Sequence, residues 1–259
     1  MTFDESLARL AVLADADLAR PGWTFRGKEL ELGYLLYHAL EEEQRAVIDA
    51  PPAVTEAARI LALAQSAFGE LRGLLAGLDE ALIDRPPAPG EWSVRETLVH
   101  AIEVERSYRA STEYAVQRSA SEPVLMPAER RPRPDPQDTA GGVLDIAGRF
   151  AARRAETDAA LAGLDAGALA RPTVWSGVGV DVRHRLHRFA SHIAEHSGQC
   201  EKAVRSFGAF GGDARAIAMR IGAMRGLHER LSDPARLHAL DAALEEKATS
   251  SRRARDASE

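Results

Sequence analysis

Proline and glycine breaks divide this chain into long segments that have the composition of α-helices. The breaks lie at 20–22, 51–52, 85–90, 122–137, 171–172 and 211–212. Between them aromatic residues are rare, at 5% of the chain, and no stretch shows the sustained alternation of β-branched residues typical of strands. The sequence therefore predicts an all-α protein with helices near 3–19, 27–49, 53–83, 94–119, 139–164, 181–206, 213–231 and 234–247.

The four predicted helices between residues 53 and 206 have the lengths and the long central connection of a four-helix bundle. We therefore expect a bundle domain at 53–206, an N-terminal helical extension at 1–52 and a C-terminal helical extension at 207–247. The small and charged residues of 248–259 are expected to form a disordered tail.

An apolar stripe follows the bundle segment. It consists of Ile217, Ile221, Met224, Leu227 and Leu231. At helical spacing these side chains share one face, which has to be covered by the same chain or by a second copy. Because large exposed apolar patches are uncommon on monomers, we predict a homodimer.

Three histidines in two predicted helices give the strongest functional signal. His192 and His196 lie four residues apart, so their side chains share one helix face, one turn apart, as a chelating pair requires. His100 lies in another helix, whose start is marked by a capping box between Ser93 and Glu96. Three neutral imidazoles leave a coordination position open for water or substrate, which is typical of a catalytic divalent metal.

The helical period separates His192 and His196 from the other two histidines of their helix. A buried stripe on that helix is predicted from Val182, Leu186, Phe189, Ile193, Cys200 and Val204. His196 and then His192 lie at the edge of this stripe, whereas His184 and His187 point away from it. Ordinary hydrogen-bonded histidines are the alternative interpretation.

Two residues close to the histidines are further candidates. Cys200 is separated from His192 by about 12 Å of helix rise, so one ion cannot bind both of them together with His196. A small buried hydrophobic residue is the better interpretation of Cys200. Glu103, one turn after His100, is the catalytic candidate, as a base or as a group that orients an imidazole. A solvated helix carboxylate is the alternative for Glu103.

The N-terminal segment contains a candidate internal repeat. The sequence from His38, His-Ala-Leu-Glu-Glu-Glu, is similar to that from His100, and each follows a tryptophan, Trp23 or Trp92. A true repeat would make His38 a ligand of a second site or a substrate contact. The alternative is a helix packed on the flank of the bundle. Trp92 and Trp175 precede the two histidine-bearing helices, where their rings either line a pocket or pack in the core.

Together these motifs resemble the DinB/YfiT-like superfamily of proteins classed as metal-dependent enzymes. The resemblance rests on Trp92-Ser-x-x-Glu-x-Leu-x-His100 and the later His192-x-x-x-His196, and it covers residues from near 60 to 206. It implies a four-helix bundle of DinB/YfiT type with additional helices at both termini. It also implies that His100, His192 and His196 bind one divalent ion. The related mycothiol-dependent maleylpyruvate isomerases usually carry Glu-x-x-x-His in the last helix, so His192 places this chain nearer the DinB branch.

The resemblance implies either a thiol S-transferase, with a low-molecular-weight thiol as cosubstrate, or a hydrolase. Either enzyme would act on a small molecule and depend on the metal, and imidazole ligation favours zinc or nickel. A non-catalytic bundle that binds metal or a protein partner is the alternative. A carboxylate-bridged di-iron centre would need two Glu-x-x-His pairs, and the sequence does not contain them.

Charge and hydropathy exclude two classes of partner. The net charge of −6 and the pI of about 5.8 argue against nucleic acid, which is bound by basic surfaces. No apolar run approaches the roughly 20 residues that span a bilayer, and no signal peptide is evident. With a single cysteine, the chain is expected to be a cytoplasmic protein without membrane contact.

Overall fold

The computed structural model describes residues 1–49, 55–231 and 234–256. Within these ranges the chain is mainly helical, and the predicted all-α class is confirmed. The helices are α1 (Phe3–Ala11), α2 (Asp15–Leu18), α3 (Leu32–Ile48), α4 (Glu56–Leu75), α5 (Val94–Gln117), α6 (Val143–Leu161), α7 (Ala166–Leu169), α8 (Val182–Ser206), α9 (Asp213–Glu229) and α10 (Pro234–Asp256). The strands are β1 (Pro21–Phe25), β2 (Lys28–Glu31), β3 (Pro172–Trp175) and β4 (Val178–Asp181).

Helices α4, α5, α6 and α8 form the first bundle. In it α4 and α5 each pack against both α6 and α8. Each helix contributes to one apolar core, which includes Phe68, Ile102, Phe150 and Phe189. The rings of Phe68 and Phe150 join α4 to α6 at a centroid distance of 4.9 Å. The predicted four-helix bundle is thereby confirmed.

Two β-hairpins depart from the prediction of helices alone. β1 pairs with β2 and β3 with β4, both antiparallel. The turn residues Arg26 and Gly27 have φ values of 50° and 80°, and Ser176 and Gly177 have 47° and 79°. Positive φ at both positions defines the type I′ turn, which closes two-residue hairpins and favours glycine. The helix predicted at 27–49 therefore begins only after the first hairpin.

Other helix bounds also differ from the prediction. The helix expected at 3–19 is divided into α1 and α2, and that expected to reach residue 83 ends at Leu75, before Gly77 with φ of 64°. Where a disordered tail was expected from residue 248, α10 continues to Asp256 and buries Ser251. The predicted start near residue 53 and the last three residues lie outside the described ranges.

Helices α9, α10, α1 and α3 form a second bundle with its own core. In it α9 and α10 each pack against both α1 and α3. The core includes Leu7, Leu36, Ile221 and Leu244, one from each helix. The helices of the second bundle contact one another in the same way as those of the first. In this comparison α9 corresponds to α4, α10 to α5, α1 to α6 and α3 to α8. One half of the second bundle thus precedes the first bundle along the chain, and the other half follows it.

The sequence supports this duplication over the segments from α1 to α3 and from α6 to α8. The tetrapeptide Leu-Ala-Arg-Pro occurs at 18–21 and at 169–172, directly before each hairpin. In both copies the carbonyl of its arginine accepts from the first residue of the following long helix, at 2.8 Å from Leu32 N–H and 3.0 Å from Val182 N–H. The two segments are therefore repeats of one structural unit.

The predicted internal repeat, in which the segment at His38 corresponds to the segment at His100, is wrong. Helix α3 takes the place of α8 in the duplicated unit, whereas His100 lies on α5. The ring of His38 packs on Trp23 at 5.2 Å and on Phe25 at 4.8 Å between centroids, and its Nδ1 lies 3.3 Å from the Glu42 carboxylate. His38 therefore packs the hairpin β1–β2 onto α3.

Helices α4 and α9 join the two bundles and run antiparallel with their backbones in contact. Gly69 of α4 lies against Gly222 of α9, Gly73 of α4 lies against Met219, and Gly226 of α9 lies against Gln65. A Cβ atom on Gly69 would lie only 2.0 Å from the carbonyl oxygen of Gly222, and one on Gly222 would lie 2.1 Å from that of Gly69. Only glycine permits such an approach. The contact lets α4 pack against both α8 and α9.

The second bundle covers the start of the apolar stripe on which the homodimer prediction was based. Ile217 and Ile221, at the start of the stripe, are 5% and 0% exposed and belong to the second core. Met224, Leu227 and Leu231, farther along the stripe, are half-buried. Because the chain covers much of the stripe itself, the stripe gives a weaker reason for self-association. The homodimer stays a prediction.

The glycine contact predicts a large difference between two substitutions of the same kind. Gly69→Ala should destabilise the protein by about 3 kcal/mol, because the added methyl group meets backbone that cannot move aside. Gly148→Ala is the matched control on α6, where a Cβ atom meets nothing within 4 Å. It should stabilise the protein by about 0.5–1 kcal/mol. Urea unfolding measures both changes, and equal midpoints for the two variants would contradict the predicted contact.

Candidate metal centre

The helices that carry the three histidines both begin at fixed caps. The Ser93 hydroxyl accepts from the N–H of Glu96 at 3.2 Å, and the Glu96 carboxylate accepts from the N–H of Ser93 at 2.8 Å. The predicted capping box is therefore confirmed. At the start of α8 the Asp181 carboxylate accepts from the N–H of His184 at 2.8 Å. These caps fix the start of each helix and hence the places of the histidines farther along.

The structure brings His100, His192 and His196 together between α5 and α8. One ring nitrogen from each lies within 4.8 Å of the others. The Nε2 atoms of His192 and His196 are 2.9 Å apart, and the His100 ring centroid lies 5.4 Å and 4.8 Å from theirs. His192 and His196 are buried and His100 is half-buried. The predicted grouping of the three side chains is thus present in the fold.

These donors fit a divalent ion. A tetrahedral zinc with zinc–nitrogen distances of about 2.0–2.1 Å needs donor nitrogens roughly 3.3 Å apart. The separations found, 2.9 Å for one pair and at most 4.8 Å for the others, require only small side-chain adjustments to reach that value. Helix α8 supplies two donors from adjacent turns and α5 supplies the third from the opposite side.

The sequence reasoning missed Gln199, which orients one of these imidazoles. Nδ1 of His196 lies 2.8 Å from Oε1 of Gln199. An amide oxygen only accepts, so Nδ1 carries the hydrogen and Nε2 keeps its lone pair directed toward His192. The signal was available in the sequence, because residues three apart on a helix are neighbours on its surface.

Burial keeps two of the imidazoles uncharged. The pKa of His192 is lowered to about 3, first by burial and then by the neighbouring His196 and His100 rings and by Arg188. The pKa of His100 is also lowered, first by burial and then by His196, while Glu103 opposes the shift. Near neutral pH both rings therefore present free lone pairs, which metal binding requires.

Aromatic side chains surround the three histidines. Trp92 packs on His100 and His196 at centroid distances of 4.9 Å and 6.4 Å, and 48% of its surface is exposed. Tyr108 packs on His192 at 5.5 Å, and its hydroxyl accepts from Nε1 of Trp175 at 3.2 Å. Trp92 and Trp175 each line a cavity beside the centre, which agrees with the pocket interpretation of the two tryptophans.

The other sequence candidates lie outside this group. Cys200 is fully buried in the first core, and burial raises its pKa to about 12, as expected of an apolar packing residue. His184 and His187 are exposed, as predicted. Glu103 is half-buried, and no hydrogen bond joins it to any of the three histidines within the part of the chain that the structure describes. Its catalytic role stays a prediction.

The profile of one protein family, the DinB superfamily, matches residues 63–200. The chain belongs to the DinB superfamily. The match runs from α4 into α8 and includes all three histidines, so the resemblance inferred from their motifs is confirmed. Comparison with curated proteins and with solved structures gives no match. Among the described residues, no helix has the length and apolar character needed to cross a membrane.

Metal-free protein should lose stability as the pH falls below about 6.5, the ordinary pKa of histidine. Between that pH and the folded pKa of about 3, unfolded His192 binds a proton that the folded protein excludes, so acid favours unfolding. Lowering the pH from about 7.5 to about 5 should therefore cost wild-type protein about 2 kcal/mol more than the His192→Gln variant. Urea unfolding at both pH values measures the difference.

The exposed His184 provides the matched control on the same helix. His184→Gln should keep the pH dependence of wild-type protein. If His192→Gln also kept it, His192 would not be held uncharged by burial, and the electrostatic description of the centre would be wrong.

Proposed function

We propose that this DinB-superfamily protein is a metal-dependent enzyme that binds one zinc or nickel ion through His100, His192 and His196. The observation that carries the proposal is the convergence of three imidazole nitrogens from two facing helices. When bound, a divalent ion would supply a nucleophile by lowering the pKa of a thiol or a water molecule. The chain would hold that ion, orient His196 through Gln199 and exclude water on the buried side.

Thiol transfer is the reaction that the surroundings of the centre support best. The side chains in ring contact with the histidines are Trp92 and Tyr108. Aromatic surfaces shield a sulfur nucleophile from water and can hold an organic electrophile beside it. Trp92 is half exposed and forms the outer wall of a cavity that Gln199 also lines. A low-molecular-weight thiol would reach the centre by that route.

Hydrolysis is the second candidate, and Glu103 is the observation that favours it. This carboxylate lies one turn from His100 on α5 and is close enough to oppose the lowering of the His100 pKa. A half-buried carboxylate in that place could accept a proton from an attacking water molecule. The thiol reaction does not need this residue, which provides a way to distinguish the two mechanisms.

Activity assays on metal-replete protein should show thiol-dependent turnover. The assays combine a panel of low-molecular-weight thiols and electrophiles with a parallel screen of ester and amide hydrolysis. His196→Ala and removal of the metal should each abolish turnover, whereas the exposed-residue control His187→Ala should retain it. Glu103→Gln should leave thiol transfer within about threefold of wild type, but it would lower hydrolysis by about 10²-fold or more if Glu103 is the base.

Three results would count against the proposal in different ways. Turnover that survives metal removal or His196→Ala would exclude both mechanisms. Hydrolysis without thiol transfer would replace the first candidate by the second. Stoichiometric metal with no turnover across the whole panel would favour a non-catalytic metal-binding bundle and contradict the enzyme.

A further inference from the structure

A polar cavity lies on the side of the histidines opposite Trp92. It has a volume of about 230 Å³ and is lined by α5, by the β3–β4 hairpin, by the start of α8 and by the connection between α5 and α6. The lining includes the hydroxyl groups of Ser107 and Ser111 and the guanidinium groups of Arg131 and Arg185, and it includes no carboxylate. Among the described residues that form it, the only formal charges are therefore positive.

Arg185 is an unusual residue for the inside of a bundle. It is only 6% exposed, and one of its terminal nitrogens donates to the carbonyl oxygen of Val174 at 2.6 Å. In the described part of the chain, its Nε has no hydrogen-bond partner and its guanidinium forms no ion pair with a carboxylate. A buried charge without a counter-ion is costly, so a fold retains one when it has a use.

The second bundle shows that the fold does not need an arginine at this place. Helices α3 and α8 are equivalent in the duplicated unit, and Leu35 is the fourth residue of α3 as Arg185 is of α8. Leu35 is fully buried in the second core. The apolar residue satisfies the packing of the same structural unit, so the guanidinium of Arg185 is specific to the bundle that carries the three histidines.

The cavity is connected to the three histidines through one side chain. Tyr108 lines the cavity, and its ring packs on that of His192 at 5.5 Å between centroids. The guanidinium of Arg185 lies over the ring of the same tyrosine, 5.3 Å from its centroid. A molecule held at Arg185 would therefore reach the three histidines by passing along Tyr108.

We propose that this cavity binds the oxyanion group, a carboxylate or a phosphate, of the small molecule on which the centre acts. Arg185 and Arg131 supply the positive charge, and Ser107 and Ser111 supply hydroxyl donors. A planar guanidinium matches an oxyanion through paired N–H donors. The binding of the anion depends on the cavity alone, whereas its role as substrate recognition rests on the proposed metal-dependent function.

Calorimetric titration of full-length protein tests the binding directly. The probes are inorganic phosphate and succinate, with chloride as the reference anion. One of the two oxyanions should bind saturably at one site per chain, and which of them binds more tightly distinguishes phosphate from carboxylate recognition. Arg185→Leu, which introduces the residue of the second bundle, should weaken binding at least tenfold, and exposed Arg131→Ala should weaken it at least threefold. Arg183→Leu, on the same helix but paired with Glu56 outside the cavity, should bind like wild-type protein.

The same titration on metal-free protein separates this proposal from the proposed function. Binding by the cavity should persist after chelation and in the His196→Ala variant. If anion binding disappeared with the metal and did not change in the Arg185 and Arg131 variants, the anion would be bound by the metal ion and not by the cavity. That result would overturn the proposal. Absence of saturable binding by either oxyanion would overturn it as well. If Arg185→Leu fails to fold, Arg131→Ala and Arg185→Gln decide the outcome, because both must weaken binding.

Discussion

The backbone contact between α4 and α9 is the constraint on which the rest of the fold depends. Glycines on both helices bring the two backbones so close that a single added methyl group would clash with a carbonyl oxygen. Through this contact α4 buries one face against α9 and another against α8. Helix α4 of the first bundle therefore links the two bundles. Helix α8 packs against α4, which is itself held on its other face by α9.

This arrangement supports the three histidines indirectly. Helix α5, which carries His100, is held by α6 and α8. Inside the first bundle, the fully buried Arg154 of α6 donates to Glu105 of α5 at 2.6 Å and to Asp158 at 3.1 Å. Breaking a buried ion pair of this kind costs several kcal/mol, about 3–5, because the remaining charge is left unpaired. The distance between His100 and the two histidines of α8 is thus set by rigid neighbours.

Sequence reasoning identified the first bundle and its histidines because their signals are local. The capping box at Ser93, the helical stripe from Val182 to Val204 and the spacing of His192 and His196 depend only on the period of a helix. The second bundle was missed because its halves, at opposite ends of the chain, are brought together only by tertiary packing. The hairpins were also missed, although Arg26-Gly27 and Ser176-Gly177 carried a turn signal. Arg185 could not be singled out, since burial without a counter-ion is visible only in three dimensions.

The central claim is that His100, His192 and His196 form one metal centre. Elemental analysis of purified protein, combined with X-ray absorption at the metal edge, tests it most directly. We predict one ion per chain with imidazole scatterers and no sulfur. The ion should be lost in each single alanine variant of the three histidines and retained in His184→Ala and Cys200→Ser. Undiminished metal in all three histidine variants, or a sulfur ligand from the chain, would contradict it.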